Sequence, residues 1–275
     1  MSRYRASAPL TSDWGHFELA VSDQVATVTF DRPEKLNALT FEAYADLRDL
    51  LAELPHRGDA RAVVITGRGR GFCSGGDVEE IIGELQSMKP RELLDFTRMT
   101  GAVVRGIRDC PLPVIAALNG VAAGAGAVIA LAADLRLLAR SASFRFLFTR
   151  VGLAGADMGS AYLLPRLVGL GRASELLLLG RKVDADEARA IGLANEVLDD
   201  GVLASRAAEV ARSFAQGPSL AYQSTKLLLS RELDMDLASA IELEAVTQAL
   251  LMNSEDHHEF YAAFKAGRNP EWRGE

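Results

Sequence analysis

The chain has 275 residues, 49% hydrophobic and 24% charged, enough to bury a large core in one domain or in a domain with a smaller appendage. Its net charge of −7 offers no basic face for nucleic acid, although Arg68, Arg70 and Arg268 could meet the phosphates of a small anionic ligand. Two cysteines, Cys73 and Cys110, are too few for a disulfide framework and fit a reducing compartment.

The segment MSRYRASAPLTSDWGHFELA carries no apolar core of signal-peptide length. FELAVSDQVATVTF (17–30) predicts two short strands around a Ser-Asp-Gln turn. Thr40 is a plausible N-cap for a helix running to about Leu54. ARAVVITG predicts a buried parallel strand, GRGRGFCSGGD a Gly-rich loop and VEEIIGELQSM a helix. Residues 91–108 form an amphipathic helix, ended by Cys110-Pro111 and Pro113. The apolar run from Val114 to Ala133 has the length of a membrane span. Asn119, Gly120, Gly124 and Gly126 break it into a strand (VIAAL), a turn (NGVAAGAG) and a helix (AVIALAAD) with almost no polar face. A soluble, cytoplasmic protein is expected. DLRLLA is a further strand, and after Pro165 the pattern becomes helical, continuing to about residue 266. The alternation of strand and helix in the first two thirds predicts an α/β layer architecture.

Two Gly-rich turns, FCSGGD (72–77) and NGVAAGAG (119–126), each follow an apolar strand and precede a helix. Such a turn leaves backbone N–H groups free at a helix N-terminus, where an anion or developing oxyanion can be held. Either turn alone could equally be a tight connection without a ligand. Asp77, directly after a Gly pair, is most simply an N-cap. Glu79, Glu80 and Glu84 read as the solvated face of the following helix. Asp157, the one acid in TRVGLAGADMGS (149–160), could cap the helix beginning MGSAYLL, carry protons, or do both.

RPEKLNALT (32–40), GFCSGGDVEEI (71–81), PVIAALNGVAAGAGAVIALAADLRL (113–137) and the run 164–198 resemble, in order and spacing, the enoyl-CoA hydratase/isomerase, or crotonase, superfamily. SEDHHEFYAAFKAGRNP resembles that family's closing helix, with Phe260 where Gly is usual. The resemblance implies a crotonase-like (ClpP/crotonase) α/β spiral of β-β-α repeats over residues 1–198, and a helical trimerisation region over 199–275. It implies a coenzyme A thioester as substrate, with coenzyme A entering as part of the substrate, no metal or redox cofactor, and a homotrimer or homohexamer. It assigns two oxyanion-hole N–H groups to Ser74 and Ala125, which would stabilise a thioester enolate. Cys73, Gly75, Gly76, Asp77 and Gly124 frame those turns and would border the substrate. Lys35 and Leu36 match positions lining the CoA nucleotide.

In the hydratases of that family two glutamates hold the water that adds across the double bond. The matching positions in this chain are Val128 and Phe148, both apolar and unable to transfer a proton. Phe144, Phe146 and Phe148 could line an acyl pocket or be core. Asp157 resembles the carboxylate of several non-hydratase branches, including ring-1,2-epoxyphenylacetyl-CoA isomerase and the dienoyl-CoA isomerases, where an Asp shuttles protons. In 4-chlorobenzoyl-CoA dehalogenase the Asp at the corresponding place is the nucleophile and a His from the loop after the first oxyanion turn assists. This chain has no His between residues 57 and 256, which argues against dehalogenation. The resulting expectation is double-bond isomerisation, or hydration of an unusual enoyl-CoA, through Asp157. The alternative is a non-catalytic acyl-CoA-binding paralogue.

Overall fold

The computed structural model describes residues 10–274 except Ser12. Residues 1–9, part of the segment read as lacking a signal-peptide core, lie outside the described residues. Strands β1 (Phe17–Ser22) and β2 (Val25–Phe30) form the expected antiparallel hairpin. Its turn residues, Asp23 and Gln24, have φ of 51° and 60°, the two-residue geometry whose twist matches the flanking strands. Thr40 caps α1 (Phe41–Arg57) by accepting the Ala43 N–H, and the helix runs slightly past the expected Leu54.

From there the chain repeats one unit: a longer strand, a short strand in a second sheet, then a helix. β3 (Ala62–Gly67) and β4 (Gly71–Cys73) lead to a π-helical turn (Val78–Ile82), the short α2 (Gly83–Leu85) and α3 (Pro90–Asp109). β5 (Val114–Leu118) and β6 (Val121–Ala123) lead to α4 (Ala125–Ala132). β7 (Leu135–Ala139) and β8 (Ser143–Arg145) lead to α5 (Ser160–Val168). Next come α6 (Leu170–Leu179), β9 (Lys182–Asp184), α7 (Ala185–Ala190) and β10 (Glu196–Leu198). The long strands make a six-stranded sheet in the order β1-β2-β3-β5-β7-β10, and the short ones a four-stranded sheet in the order β4-β6-β8-β9. Pairing is parallel except in the first hairpin and between β8 and β9.

Several expectations change. The Gly-rich segments are not wholly loops, since GFC and VAA pair with each other as β4 and β6. The chain after Pro165 is not wholly helical, since β9 and β10 each close an edge of a sheet. All four are three-residue strands, too short to show a period of two. Phe144 and Phe146 are fully buried and stacked, 6.4 Å apart with planes 8° from parallel, so they belong to the core. Each such burial contributes about 1.5–3 kcal/mol. α4 is buried at every residue, as its sequence requires.

The C-terminal helices are α8 (Leu203–Ala215), α9 (Ser219–Arg231), α10 (Leu237–Leu251) and α11 (Glu255–Ala266). α8 lays Leu203, Ala207, Ala211 and Ala215, one helix face, against the large sheet. α9 is pinned by Lys226, whose Nζ donates to the Ile107 and Leu112 carbonyls at 3.0 and 2.9 Å and meets Asp134 at 2.8 Å. Among the described residues no helix is long and apolar enough to cross a membrane.

Candidate active site

The first Gly-rich turn continues β4 into Ser74, Gly75 and Gly76. The Ser74 N–H donates to the Leu36 carbonyl at 3.0 Å, and Ser74 Oγ donates to the Lys35 carbonyl at 3.2 Å. Ser74 therefore anchors the loop before α1, and its N–H is not free for a ligand. This corrects the assignment of the first oxyanion donor to Ser74. Beyond it, the Leu39 N–H donates to the Gly75 carbonyl at 2.8 Å and the Asp77 N–H donates to the Leu39 carbonyl at 2.9 Å. In an extended segment alternate residues turn their polar groups to opposite sides. The Gly76 N–H consequently faces away from Leu39 and, among the described residues, has no backbone partner.

The second turn ends at Gly124, and the Ala125 N–H is the first orphan donor of α4. The two turns abut. Gly75, at φ of 100°, comes so close that a Cβ there would sit 3.4 Å from the Ala125 nitrogen. Gly126 lets α4 cross β4, because a Cβ there would lie 2.2 Å from the Cys73 carbonyl oxygen. Gly76 and Ala125 thus present, among the described residues, two N–H groups without backbone partners on neighbouring turns. Cys73 is fully buried, and burial pushes its thiol up to about 12, so it packs as a thiol.

Asp157 is not the N-cap of α5; Gly159 takes that position. Asp157 instead closes a tight turn in front of the helix. Its carbonyl accepts the Ser160 N–H at 2.9 Å, its N–H donates to Ser160 Oγ at 3.1 Å, and its Oδ1 accepts the Met158 N–H at 2.8 Å. Ser160 Oγ donates onward to the Gly155 carbonyl at 3.2 Å. The turn forces Met158 to φ of 51°, a left-handed conformation costly for a side chain and held by its burial at 7% exposure. Burial raises the half-buried Asp157 carboxyl above the usual carboxylate range, and the Met158 N–H offsets only part of that.

Asp77 does cap the helical turn after it, accepting the Glu79 and Glu80 N–H groups at 3.0 and 3.1 Å. Burial works to raise its pKa, but those N–H groups and the Lys35 ammonium outweigh it and hold the carboxyl below the ordinary value. Lys35 Nζ lies 3.0 Å from Asp77 and 3.2 Å from Glu79, and Arg32 meets Asp77 and Glu80 at 3.3 and 2.7 Å. The Lys35 charge is matched by these acids in this structure. Leu36 is left-handed at φ of 51°, with its side chain over Gly71. Glu79, Glu80 and Glu84 are exposed, as expected of a solvated face. Arg68 is paired with Glu18 and Asp31, and Arg268 with Glu259, while Arg70 is exposed.

Val128 is fully buried in α4, and Phe148 is 8% exposed at the start of a 3-10 turn, Phe148–Val151. Sequence reasoning missed Asn37 and Asn119, whose side chains share the Gly71 carbonyl at 2.7 and 3.1 Å and fix the entry to β4. Their signal was an Asn inside each motif, LNAL and LNG. It also missed Tyr44, whose hydroxyl lies 3.7 Å from where a Cβ on Gly76 would be.

A family model described as enoyl-CoA hydratase/isomerase matches residues 20–275. The chain is 37% identical over 254 residues to a 1,2-epoxyphenylacetyl-CoA isomerase of Escherichia coli K12, covering 92% of this chain and 97% of the relative. It is 35% identical over 259 residues to an (E)-benzylidenesuccinyl-CoA hydratase of Thauera aromatica, covering 93% and 98%. A crystal structure of a candidate enoyl-CoA hydratase from Streptomyces coelicolor A3(2) superposes with a TM-score of 0.98 at 61% identity, covering 100% of each chain. That agreement makes the architecture the crotonase fold.

Proposed function

Because the chain belongs to the enoyl-CoA hydratase/isomerase family, we propose that it is an acyl-CoA enzyme in which Asp157 moves a proton on a thioester enolate. The thioester oxygen would take two hydrogen bonds, from the Gly76 and Ala125 N–H groups. Such donors act where charge develops, and each is worth about 10²–10³ in rate in other enzymes. Asp157, ionised, would remove a proton from one carbon of the acyl chain. The C–H electron pair would pass into the enolate, and the carboxyl, whose proton can exchange with solvent, would deliver a proton at another carbon, shifting the double bond with no net gain or loss of atoms. Hydration through the same carboxylate would add water across the double bond instead. Relatives named for an isomerase and for a hydratase both match nearly full length.

One observation carries this reading: Asp157 is half-buried and raised by burial, yet caps no helix. A carboxyl that holds only the adjacent Met158 N–H, with its pKa moved up by burial, suits acid–base chemistry. Replacing it tests the assignment. Asp157→Asn should abolish turnover of enoyl-CoA thioesters and the exchange of acyl protons with deuterated water, while leaving CoA-thioester binding intact. Unchanged turnover in the variant sinks the assignment. A wild-type protein that binds acyl-CoA and turns over no thioester of a broad panel is the binding paralogue instead.

A further inference from the structure

Tyr44 of α1 stands outside the machinery just described. It is 2% exposed, and its ring meets Phe96 of α3 edge-on, with centroids 6.1 Å apart. Phe96 in turn meets Phe41 edge-on at 5.0 Å. This packing explains an aromatic ring at position 44 but not its hydroxyl, since phenylalanine would pack equally well. The hydroxyl reaches the first Gly-rich turn, 3.7 Å from a Cβ position on Gly76, beside the Ile81 side chain. Among the described residues it has no hydrogen-bond partner. Burial, then the Cys73 thiol and the Asp157 carboxyl acting through space, keep it protonated and hence a donor.

The hydroxyl is not one of the fully enclosed unpaired polar atoms of the described residues, so it keeps an edge open beside the Gly76 turn, where solvent or an acceptor that arrives with the ligand can meet it. Phe96, which packs on the ring, and Ile81, beside the hydroxyl, have no polar atoms. An oxygen on the acyl group at this place would otherwise be left unpaired, and a methylene would leave the tyrosine unpaired. Either mismatch lowers affinity.

We propose that the Tyr44 hydroxyl hydrogen-bonds an oxygen carried on the acyl group, so that the site prefers oxygen-bearing acyl-CoA thioesters to hydrocarbon ones of equal length. The inference rests on the acyl-CoA reading above. Its position beside the Gly76 turn puts that oxygen close to the reacting carbons and not at the far end of the chain.

The test compares 4-oxahexanoyl-CoA with hexanoyl-CoA, which have equal length and no double bond to turn over. Dissociation constants are measured by calorimetry on wild type, Tyr44→Phe and Asp157→Asn. Wild type should prefer the ether by about threefold to tenfold, the worth of one hydrogen bond, and Tyr44→Phe should erase the preference. Should the phenylalanine variant fail to fold, Tyr44→Met gives the same comparison. Equal affinities in wild type, or a preference that survives in the variant, overturn the inference. A preference kept in Asp157→Asn together with a wild type that turns over no enoyl-CoA sinks only the catalytic reading. Failure to bind either thioester removes both.

Discussion

The Ser74 N–H donates to the Leu36 carbonyl across 3.0 Å, and this one bond decides which neighbour can serve a ligand. With Ser74 committed to the loop before α1, the donors without backbone partners among the described residues of the two turns are Gly76 and Ala125. Ser74→Ala removes only the hydroxyl's bond to the Lys35 carbonyl and should cost less than about tenfold in kcat/KM. Ala125→Pro removes a donor outright. Ala125 is the first residue of α4, where proline is tolerated because its N–H is an orphan in any case. The helix should persist while kcat falls by about 10²–10³. Equal small effects from both variants, in steady-state kinetics with circular dichroism as the fold check, would remove the oxyanion assignment.

The proposed role of Asp157 predicts a pH dependence. Burial raises its carboxyl above the ordinary value of 3.8. If the ionised form is the base, the rate falls as pH drops through that raised value. The acid limb of the kcat profile should therefore lie above the usual carboxylate range. The stability effect has the opposite sense. A group whose folded pKa is raised favours the folded state when protonated, and its ionised form costs stability once pH exceeds the unfolded value. Asp157→Asn, neutral throughout, should melt at the same temperature as wild type or higher at neutral pH, and lower activity with no loss of fold. An acid limb that stays unchanged in any residual activity of the variant would assign the titration to another group.

The hairpin, α1, α3, the parallel strands and the buried α4 were legible because each carries a period, a cap or a proline stop of its own. β4, β6, β9 and β10 were not, because three residues show no period and exist only by pairing. Within the site, the two turns were visible as Gly-rich motifs. Which N–H in CSGGD is free was invisible, because it depends on Leu36 and Leu39 arriving from another segment. The same holds for Asp157: its sequence allowed a cap, and the left-handed Met158 and Gly159 moved the helix start past it. Tyr44 looked like one more apolar position in an amphipathic helix, and only the fold brings its hydroxyl to Gly76.

Lys226 gives a stability prediction independent of the site. Its ammonium, 6% exposed as a residue, closes two carbonyls and Asp134. Lys226→Ala leaves the Ile107 and Leu112 carbonyls without that donor and Asp134 with one cation fewer. Breaking such a buried pair typically costs about 3–5 kcal/mol. Asp134 keeps Arg108 at 3.5 Å and the Val114 N–H at 2.8 Å, which places the loss toward the lower end. Urea unfolding should show the shift as a lower midpoint with an unchanged slope.

Self-association is the last prediction, and α10 carries it. The helix holds Leu237, Ile241, Val246 and Leu250, all more than half exposed, and none of its residues is buried. α11 adds Phe264 at 74% exposure and Phe260 at 48%. A helix this apolar gains little from folding against water, since most helical stability comes from burying one face. We infer that further copies of the chain cover it, as the family resemblance implies for a trimer or hexamer. A paired Leu237→Glu, Leu250→Glu variant touches neither Gly-rich turn nor Asp157. Light scattering should show the wild type as an oligomer and the variant as a smaller species, with lost stability at low protein concentration. A wild type that is monomeric at micromolar concentration would leave α10 exposed in solution and remove the interface.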